Sequence, residues 1–263
     1  MINADDFGFT RDVNAGILHA HREGVLTSTT LMATGDAFDD AVRLAHETPS
    51  LDIGCHLVLI QGRALTTGDP FPGTPREVIR RMLQPGARVR VYNEFRAQIE
   101  KIIAAGIRPT HLDSHKHTHI VPAIFRLVVR LAHEFQIPYV RLPLDATVLY
   151  GRLPCAVLDG FYRRMAKGRN VRMTDYFLGF RLTGSLDEPS FLAALQTLRE
   201  GTTEFMCHPG FLGDELRGAT TRLKESRLRE LEALTSPRIR AFMDAAGVHL
   251  ATFCTAAPTS YSQ

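Results

Sequence analysis

The sequence predicts an α/β protein in which residues 1–263 form a single (β/α) barrel-like domain with about seven or eight parallel strands. Short β-rich segments alternate with amphipathic helical segments along the whole chain, which is typical of parallel strands covered by helices. No glycine-rich phosphate loop follows the first strand, and this argues against an open dinucleotide-binding sheet. We see no internal repeat, low-complexity segment or linker that would divide the chain.

Six internal segments have the composition of strands, because they contain β-branched or apolar residues and are bounded by glycine, proline or polar residues. They are TSTTLMAT (27–34), LDIGCHLVLI (51–60), THLDSHKHTHI (110–120), YVRLPL (139–144), TTEFMCHPGF (202–211) and VHLATF (248–253).

A further strand is expected at the start of the chain, ending at Asp5 and Asp6. It should be short, because only two residues precede Asn3. Adjacent strand positions point to opposite faces, so the two aspartates can share a site only if the chain turns there. Gly8 is placed to permit such a turn.

Three segments between the strands have helical periodicity. EFRAQIEKIIAAG (94–106) ends at a glycine, and PAIFRLVVRLAHEFQ (122–136) begins with a proline at a position that a first turn allows. LKESRLRELEAL (223–234) has leucines three to five residues apart. QGRALTTGDPFPGTP (61–75), rich in glycine, proline and threonine, predicts a long surface loop of a kind that is often functional.

The composition indicates a globular protein and excludes several classes. The chain is 44% hydrophobic, and its formal net charge of +3 is too small to indicate nucleic-acid binding. Its four cysteines form no CxxC pair, so neither a thiolate zinc site nor a disulfide framework is expected. No apolar run approaches the ~20 residues of a membrane span, and no secretory leader is visible. We therefore expect a cytoplasmic protein.

Acids and histidines occur at the ends of the predicted strands, where barrel enzymes place their catalytic groups. Asp5 and Asp6 end the first strand, His56 lies in the third, and His208 ends the segment FMCHPGF. His115 lies in HLDSHKHTH. We expect these side chains to meet at one end of the barrel.

HLDSHKHTH (111–119) has a polar residue at every second position. Alternate side chains of a strand share one face, so five of them are expected to point the same way: His111, Asp113, His115, His117 and His119. A metal or a network around a substrate would explain such a face. The alternative is a solvated edge strand.

Asp6, His56 and His115 would together supply one carboxylate and two imidazoles. A lone histidine in an apolar strand is more often a hydrogen-bonded core residue, but the strand of His56 should neighbour the aspartate pair. Three protein ligands leave positions open for water and substrate, as a catalytic metal requires.

Five motifs, NADDFG, STT, IGCHLVL, THLDSHKHTH and MCHPGF, make essentially the whole chain resemble the YdjC family of carbohydrate deacetylases, which includes chitooligosaccharide deacetylases. DYFLGFRLTGSL (175–186) is also similar to the hopanoid-biosynthesis branch of that family. The resemblance implies a (β/α)-barrel-like fold and metal-dependent removal of an N-acetyl group from an amino sugar, carried by a glycan or a glycolipid.

Matching motifs carry the roles of the family onto this chain. Asp6, His56 and His115 would hold one divalent metal ion, Asp5 would be the general base, and His208 would be an acid or transition-state stabiliser. The resemblance points to magnesium, whereas two imidazoles and a carboxylate suit zinc or another transition ion. A metal-bound water would attack the amide and Asp5 would accept its proton.

Four further residues are expected to contact the substrate or to support the ligands: Asp113, His117, His119 and Arg141. Two other functions remain as alternatives. A non-catalytic sugar-binding barrel is disfavoured because all five motifs are intact. A Schiff-base lyase or aldolase would need Lys116, which strand alternation would turn away from His115 and His117.

The expected partner is a small molecule or glycolipid that contains an amino sugar, and no nucleic acid. YRRMAKGRNVR (162–172) holds five basic residues and no acid. It predicts either a solvated helix face or transient contact with anionic lipid headgroups. The sequence leaves open whether the chain forms a homodimer.

Overall fold

A computed structural model describes residues 1–145 and 155–256 of the chain. The strands are β1 (Ile2–Phe7), β2 (Ser28–Leu31), β3 (Asp52–Leu57), β4 (His111–Ser114), β5 (Tyr139–Val140), β6 (Tyr176–Leu178) and β7 (Thr203–Cys207). The helices are α1 (Arg11–Glu23), α2 (Phe38–Glu47), α3 (Pro75–Met82), α4 (Ala87–Ala104), α5 (Pro122–Glu134), α6 (Cys155–Lys167), α7 (Glu188–Leu195), α8 (Asp214–Gly218), α9 (Glu225–Leu234) and α10 (Pro237–Ala245).

The described strands form one seven-stranded sheet in the order β5-β4-β3-β2-β1-β7-β6. All neighbouring pairs are parallel, and the sheet curls into a half-barrel with helices packed around it. This confirms the predicted α/β barrel-like class. Because β1 lies between β2 and β7, residues at its carboxyl end are flanked by the ends of those two strands.

The sheet is buried on both faces, as parallel sheets usually are. Every residue of β1 and of β3 is buried. Buried apolar side chains from Ile2 to Met243 form one cluster. The sequence also fixes several helix starts: the Thr10 side chain accepts the Val13 N–H at 3.2 Å to begin α1, and α5 begins at Pro122.

Most of the predicted elements are present with shifted ends. The strand segments 27–34, 51–60, 139–144 and 202–211 contain the shorter strands β2, β3, β5 and β7. The predicted helices correspond to α4, α5 and α9, and α4 begins seven residues before the predicted start at residue 94. Residues 61–74 form the expected loop, and Pro75 begins α3. None of the helices in the described ranges is both long enough and apolar enough to span a bilayer.

The prediction of a strand at 248–253 is wrong. Its backbone bonds to a side chain instead of a neighbouring strand: the Phe253 N–H donates to Asp52 Oδ2 at 2.6 Å, and the Phe253 ring stacks on His111 at 3.8 Å between ring centroids. The sheet instead contains β6, which was not predicted and which pairs with β7.

The prediction of one strand over 110–120 is also wrong, and this difference changes the site. The strand β4 stops at Ser114, and residues 115–120 form a 3-10 helical turn, called here the 115–120 turn. Ser114 Oγ stabilises this turn, because it accepts the His119 N–H at 3.0 Å and the Thr118 hydroxyl at 3.0 Å. The predicted common face for His115, His117 and His119 therefore does not form. The alternative interpretation of this segment as a solvated edge strand is excluded as well, since β4 lies between β3 and β5.

Candidate metal and catalytic site

The chain turns sharply where β1 ends, as the adjacent aspartates required. The turn is centred on Asp6 itself, which has a φ of 71°, an uncommon backbone conformation for a residue other than glycine. Gly8 follows with a φ of 91°, and the register of β1 against β2 shifts between Ala4 and Phe7. Both carboxylates consequently line the same cavity.

The three predicted metal ligands converge at this turn. Asp6 Oδ1 lies 3.0 Å from His115 Nδ1 and 3.4 Å from His56 Nε2. The two imidazole nitrogens are 3.3 Å apart, and one ligand atom from each residue lies within 4.8 Å of the other two. One carboxylate and two imidazoles from β1, β3 and the 115–120 turn thus form a donor set that fits a divalent cation.

Asp113 lies directly behind this donor set. It is fully buried and its Oδ1 is 2.7 Å from His56 Nδ1, so that nitrogen donates to the carboxylate and Nε2 faces the other ligands. Asp113 Oδ2 accepts from the Thr30 hydroxyl at 3.0 Å and from Arg141 Nη1 at 2.7 Å. Carboxylates in this position orient a metal-binding imidazole.

Asp5, His56 and Asp113 form a second group of converging acid and histidine atoms. A guanidinium already occupies that space. Arg141 Nη1 and Nη2 donate to Asp5 at 2.9 Å and 2.7 Å, and Nη1 also contacts Asp113. Because this positive charge is fixed there, the group around Asp6 is the candidate metal site.

Arg141 holds Asp5 through these hydrogen bonds, and it is not among the residues that line the cavity. It is 1% exposed, and its Nε donates to Glu204 at 2.6 Å. Burial alone would raise the pKa of Asp5, but Arg141 and then His56 hold it well below its usual value. Of the two predicted roles for Arg141, the geometry favours support of the carboxylates over contact with a substrate.

Asp6 has a different cationic partner. Arg227 Nη2, from α9, donates to Asp6 Oδ2 at 2.5 Å. Burial would raise the pKa of Asp6, but Arg227 and then His115 keep it well below its usual value. Since Arg227 uses Oδ2, Oδ1 remains directed at His56 and His115.

His208 is buried beside Asp5, with Nε2 at 3.9 Å from Asp5 Oδ2. Its main-chain N–H donates to Glu230 Oε2 at 2.5 Å. Burial lowers the pKa of His208 to about 4, although Asp5 opposes this effect. The ring is therefore neutral at neutral pH and can donate a proton to a leaving group only after taking one up.

His117 and His119 lie at different depths. His117 lines the cavity, where its Nε2 is 3.1 Å from Met206 Sδ and its ring meets Phe180 edge to face at 4.6 Å between centroids. His119 is fully buried, and its Nδ1 lies 2.6 Å from Ser114 Oγ. Of these two histidines, only His117 lines the cavity.

The cavity above these residues, called here the main cavity, has a volume of about 970 Å³. This lies at the upper end of the range of about 300–1,000 Å³ found for small-molecule sites. Its walls include aromatic, amide and cationic side chains: Phe9, Gln61, Lys116, Phe180, Arg181 and Arg222. The expectation that Lys116 points away from His115 is wrong, because both residues lie in the 115–120 turn with Lys116 at a φ of 52°.

Residues 1–245 match the family model described as YdjC-like protein. The chain belongs to the YdjC-like family. Relatives named carbohydrate deacetylase occur in Brevibacillus brevis, 34% identical over 96% of this chain and 97% of that protein, and in Geobacillus stearothermophilus, 34% identical over 96% of each. Carbohydrate deacetylase 2 of Listeria innocua is 35% identical, again over 96% of each chain.

Two solved structures share the fold of this YdjC-like chain. A crystal structure from Enterococcus faecalis, described provisionally as a cellobiose-phosphate cleavage protein, superposes with a TM-score of 0.78 at 29% identity, over 96% of each chain. The lactam utilization protein of Thermus thermophilus has a TM-score of 0.52 at 16% identity, over 95% of this chain and 97% of that one. The second comparison shows a shared fold alone.

Sequence reasoning missed several charged residues of this YdjC-like site. Arg227 and Glu230 lie on the same helical face as Leu231 and Leu234, so charges at apolar positions of a predicted helix were the available signal. Glu204 lies four residues before His208, at a spacing that puts both on one face of a strand. Thr30 lies in the STT motif, but nothing in the sequence distinguishes it from Ser28 and Thr29.

Proposed function

We propose that this YdjC-like protein is a metal-dependent carbohydrate deacetylase, which hydrolyses the N-acetyl group of an amino sugar. The observation that carries the proposal is the convergence of Asp6, His56 and His115 in the wall of a cavity that Asp5 also lines. Relatives of similar length named carbohydrate deacetylase give the reaction class.

The metal would be held by Asp6 Oδ1, His56 Nε2 and His115 Nδ1. A divalent cation there would polarise the acetyl carbonyl and lower the pKa of a water molecule. The residues around the candidate metal site favour positive charge there. Burial alone would lower the pKa of His56, but Asp113 and Asp5 raise the pKa to about 10. Family resemblance indicates magnesium and the two imidazoles suit zinc, so both ions belong in the test.

Asp5 would accept the proton of the attacking water. Arg141 keeps Asp5 ionised and fixes both of its oxygens, so the acceptor is present at neutral pH. The same ion pair makes Asp5 a weak base. Asp5 should therefore transfer the proton from water rapidly to another group. His208 would take this proton, which its neutral ring and the 3.9 Å between its Nε2 and Asp5 Oδ2 support.

His208 would then deliver this proton to the departing nitrogen as the C–N bond breaks, which releases acetate and the free amine. His117, Phe9 and Phe180 would contact the sugar, because aromatic rings pack against the apolar face of a pyranose. The wide cavity would accept an amino sugar from either a soluble glycan or a glycolipid.

Acetate release tests the proposal directly. The protein is stripped with a chelator, reloaded with magnesium, zinc or manganese, and offered N-acetylglucosamine conjugates that include chitooligosaccharides and a hopanoid-linked glycan. We expect acetate from at least one substrate, only after reloading. A metal-loaded protein that binds amino sugars and releases no acetate from any of them would instead support the sugar-binding alternative.

The position of Lys116 keeps the Schiff-base alternative open to test, because its side chain lines the main cavity. Borohydride reduction in the presence of carbonyl substrates would trap a covalent adduct if an imine forms. We expect no mass increase. An increase that is absent in Lys116→Met would favour the lyase.

A further inference from the structure

Exposed apolar side chains are concentrated in the hairpin formed by α3, the start of α4 and their connection, called here the α3–α4 hairpin (residues 75–90). Leu83, Val89 and Ile79 are 83%, 63% and 48% exposed, the three largest fractions among the large hydrophobic residues of the described chain. Ile79 and Leu83 are one helical turn apart, and Val89 lies in the first turn of α4. A concentration of this kind indicates an interaction surface.

The same hairpin is strongly cationic. It holds one acid, Glu77, and five exposed arginines: Arg76, Arg80, Arg81, Arg88 and Arg90. Glu77 caps α3 by accepting the Gly73 N–H at 2.8 Å. This local excess of positive charge is larger than the formal net charge of +3 of the entire chain.

These arginines have no acidic partner among the described residues. Several arginines on other helix surfaces do have one. Arg43, Arg96 and Arg130 each pair with a glutamate one turn away, at 2.8, 2.8 and 2.7 Å. The α3–α4 hairpin therefore presents positive charge that its own fold leaves available to an anionic partner.

The hairpin also lies beside the site. Helix α3 packs against the 115–120 turn, which carries His115 and Lys116 from the wall of the main cavity. A partner bound to the hairpin would sit next to the cavity.

We propose that the α3–α4 hairpin docks on the surface of an anionic phospholipid bilayer. Exposed leucine, isoleucine and valine side chains would enter the headgroup region, while the arginines pair with lipid phosphates, as in interfacial amphipathic helices. A second copy of this chain is a poor occupant, because a symmetric contact would place two unpaired arginine clusters against each other.

Vesicle co-sedimentation of the full chain tests this proposal and needs neither metal nor substrate, so it is independent of the deacetylase proposal. We expect binding to phosphatidylcholine vesicles that contain phosphatidylglycerol, weaker binding at high salt, and none to pure phosphatidylcholine. Arg80→Gln with Arg81→Gln should lower the partition coefficient about fivefold for each arginine removed. Leu83→Ser should lower it several-fold without unfolding the chain, because Leu83 is 83% exposed.

The matched control is Arg164→Gln with Arg169→Gln, which removes the same charge from the basic segment 162–172. We expect this variant to bind within about twofold of the wild type. An equal loss in the control, or full binding by the hairpin variants, would overturn the proposal. So would a dimer that Leu83→Ser dissociates in a protein that binds no vesicles, since the hairpin would then contact a second copy.

Discussion

At the scale of single residues, the two adjacent aspartates avoid mutual repulsion because each has its own arginine. Asp5 is held by Arg141 through both oxygens, whereas Asp6 gives one oxygen to Arg227 and turns the other toward two imidazoles. The opposite charges keep both groups ionised. The two carboxylates therefore have different neighbours and are suited to different tasks.

Replacement of Asp5 separates those tasks. We expect Asp5→Asn to lower kcat by about a hundredfold or more with the metal content unchanged, because Asp5 lies outside the ligand set. His56→Ala should lose both turnover and metal. Acetate release and elemental analysis measure the two effects, and circular dichroism controls for folding. Near-normal deacetylation by Asp5→Asn would show that another group is the base.

Glu204 is expected to make stability depend on pH. Burial raises its pKa to about 7, with Arg141 opposing, whereas an unfolded glutamate has a pKa of about 4.3. Between about pH 4.3 and about pH 7 the folded protein holds a proton that the unfolded chain has released, so the free energy of unfolding falls as pH rises. Below this window both states are protonated and the penalty is absent.

Glu204→Gln should remove that contribution and make the pH dependence of unfolding shallower. Urea unfolding of the wild type and the variant across this window measures the difference. Glutamine keeps an oxygen for Arg141 Nε, so the comparison isolates the titration. If the free energy of unfolding changed with pH equally in the wild type and in Glu204→Gln, the raised pKa of Glu204 would be contradicted.

At the scale of helices, strands and loops, Glu94 of α4 fixes the loop that follows β3. Its Oε1 accepts the Leu65 N–H at 3.0 Å, and its Oε2 accepts the N–H and hydroxyl of Thr66 at 3.0 and 2.7 Å. The same loop carries Gln61 into the wall of the main cavity. A buried helix side chain thus determines the position of a cavity residue.

Glu94→Ala should release this loop. Three donors of the loop lose their acceptor, as does Gln98 Nε2 at 2.8 Å from Glu94 Oε1. We expect the free energy of unfolding to fall by about 2–4 kcal/mol, with faster trypsin cleavage after Arg63. The control Glu100→Ala removes an exposed glutamate paired with Arg96 from the same helix, and should cost less than about 1 kcal/mol. Similar effects of both substitutions would contradict the anchoring role.

The elements that were predictable from sequence are those with a local cause. Strand composition located β2, β3 and β7, and the position of Pro122 gave the start of α5. The 115–120 turn was not predictable from sequence. The alternation of polar residues there suggested a strand, whereas the turn depends on hydrogen bonds from Thr118 and His119 to Ser114. The contacts of Arg141 and Arg227 depend on tertiary packing, so sequence could suggest the metal ligands but not what neutralises the aspartates.

At the scale of the whole molecule, the candidate metal site joins parts of the fold that are distant in sequence. Its ligands come from β1, β3 and the 115–120 turn, and α9 supplies Arg227. Buried apolar residues throughout the described chain form one large cluster. We propose on this basis that the described residues belong to a single domain.

Metal binding should consequently stabilise the entire fold. At a free metal concentration about a hundred times the Kd, we expect the free energy of unfolding to rise by about 2.7 kcal/mol. Calorimetry should show one transition that moves to higher temperature with metal and returns after chelation. Asp5→Asn should keep this shift, whereas His56→Ala should lose it. An undiminished shift in His56→Ala would place the ion elsewhere.

The contact between Asp6 and Arg227 spans 221 positions of the chain, and this separation has a kinetic consequence. Contacts between distant residues require the closure of long loops, and they are made late in folding. A chain leaving the ribosome exposes Asp6, His56 and His115 long before α9 has been synthesised. The site is therefore completed after most of the sheet, and bound metal should slow unfolding while leaving the folding rate nearly unchanged.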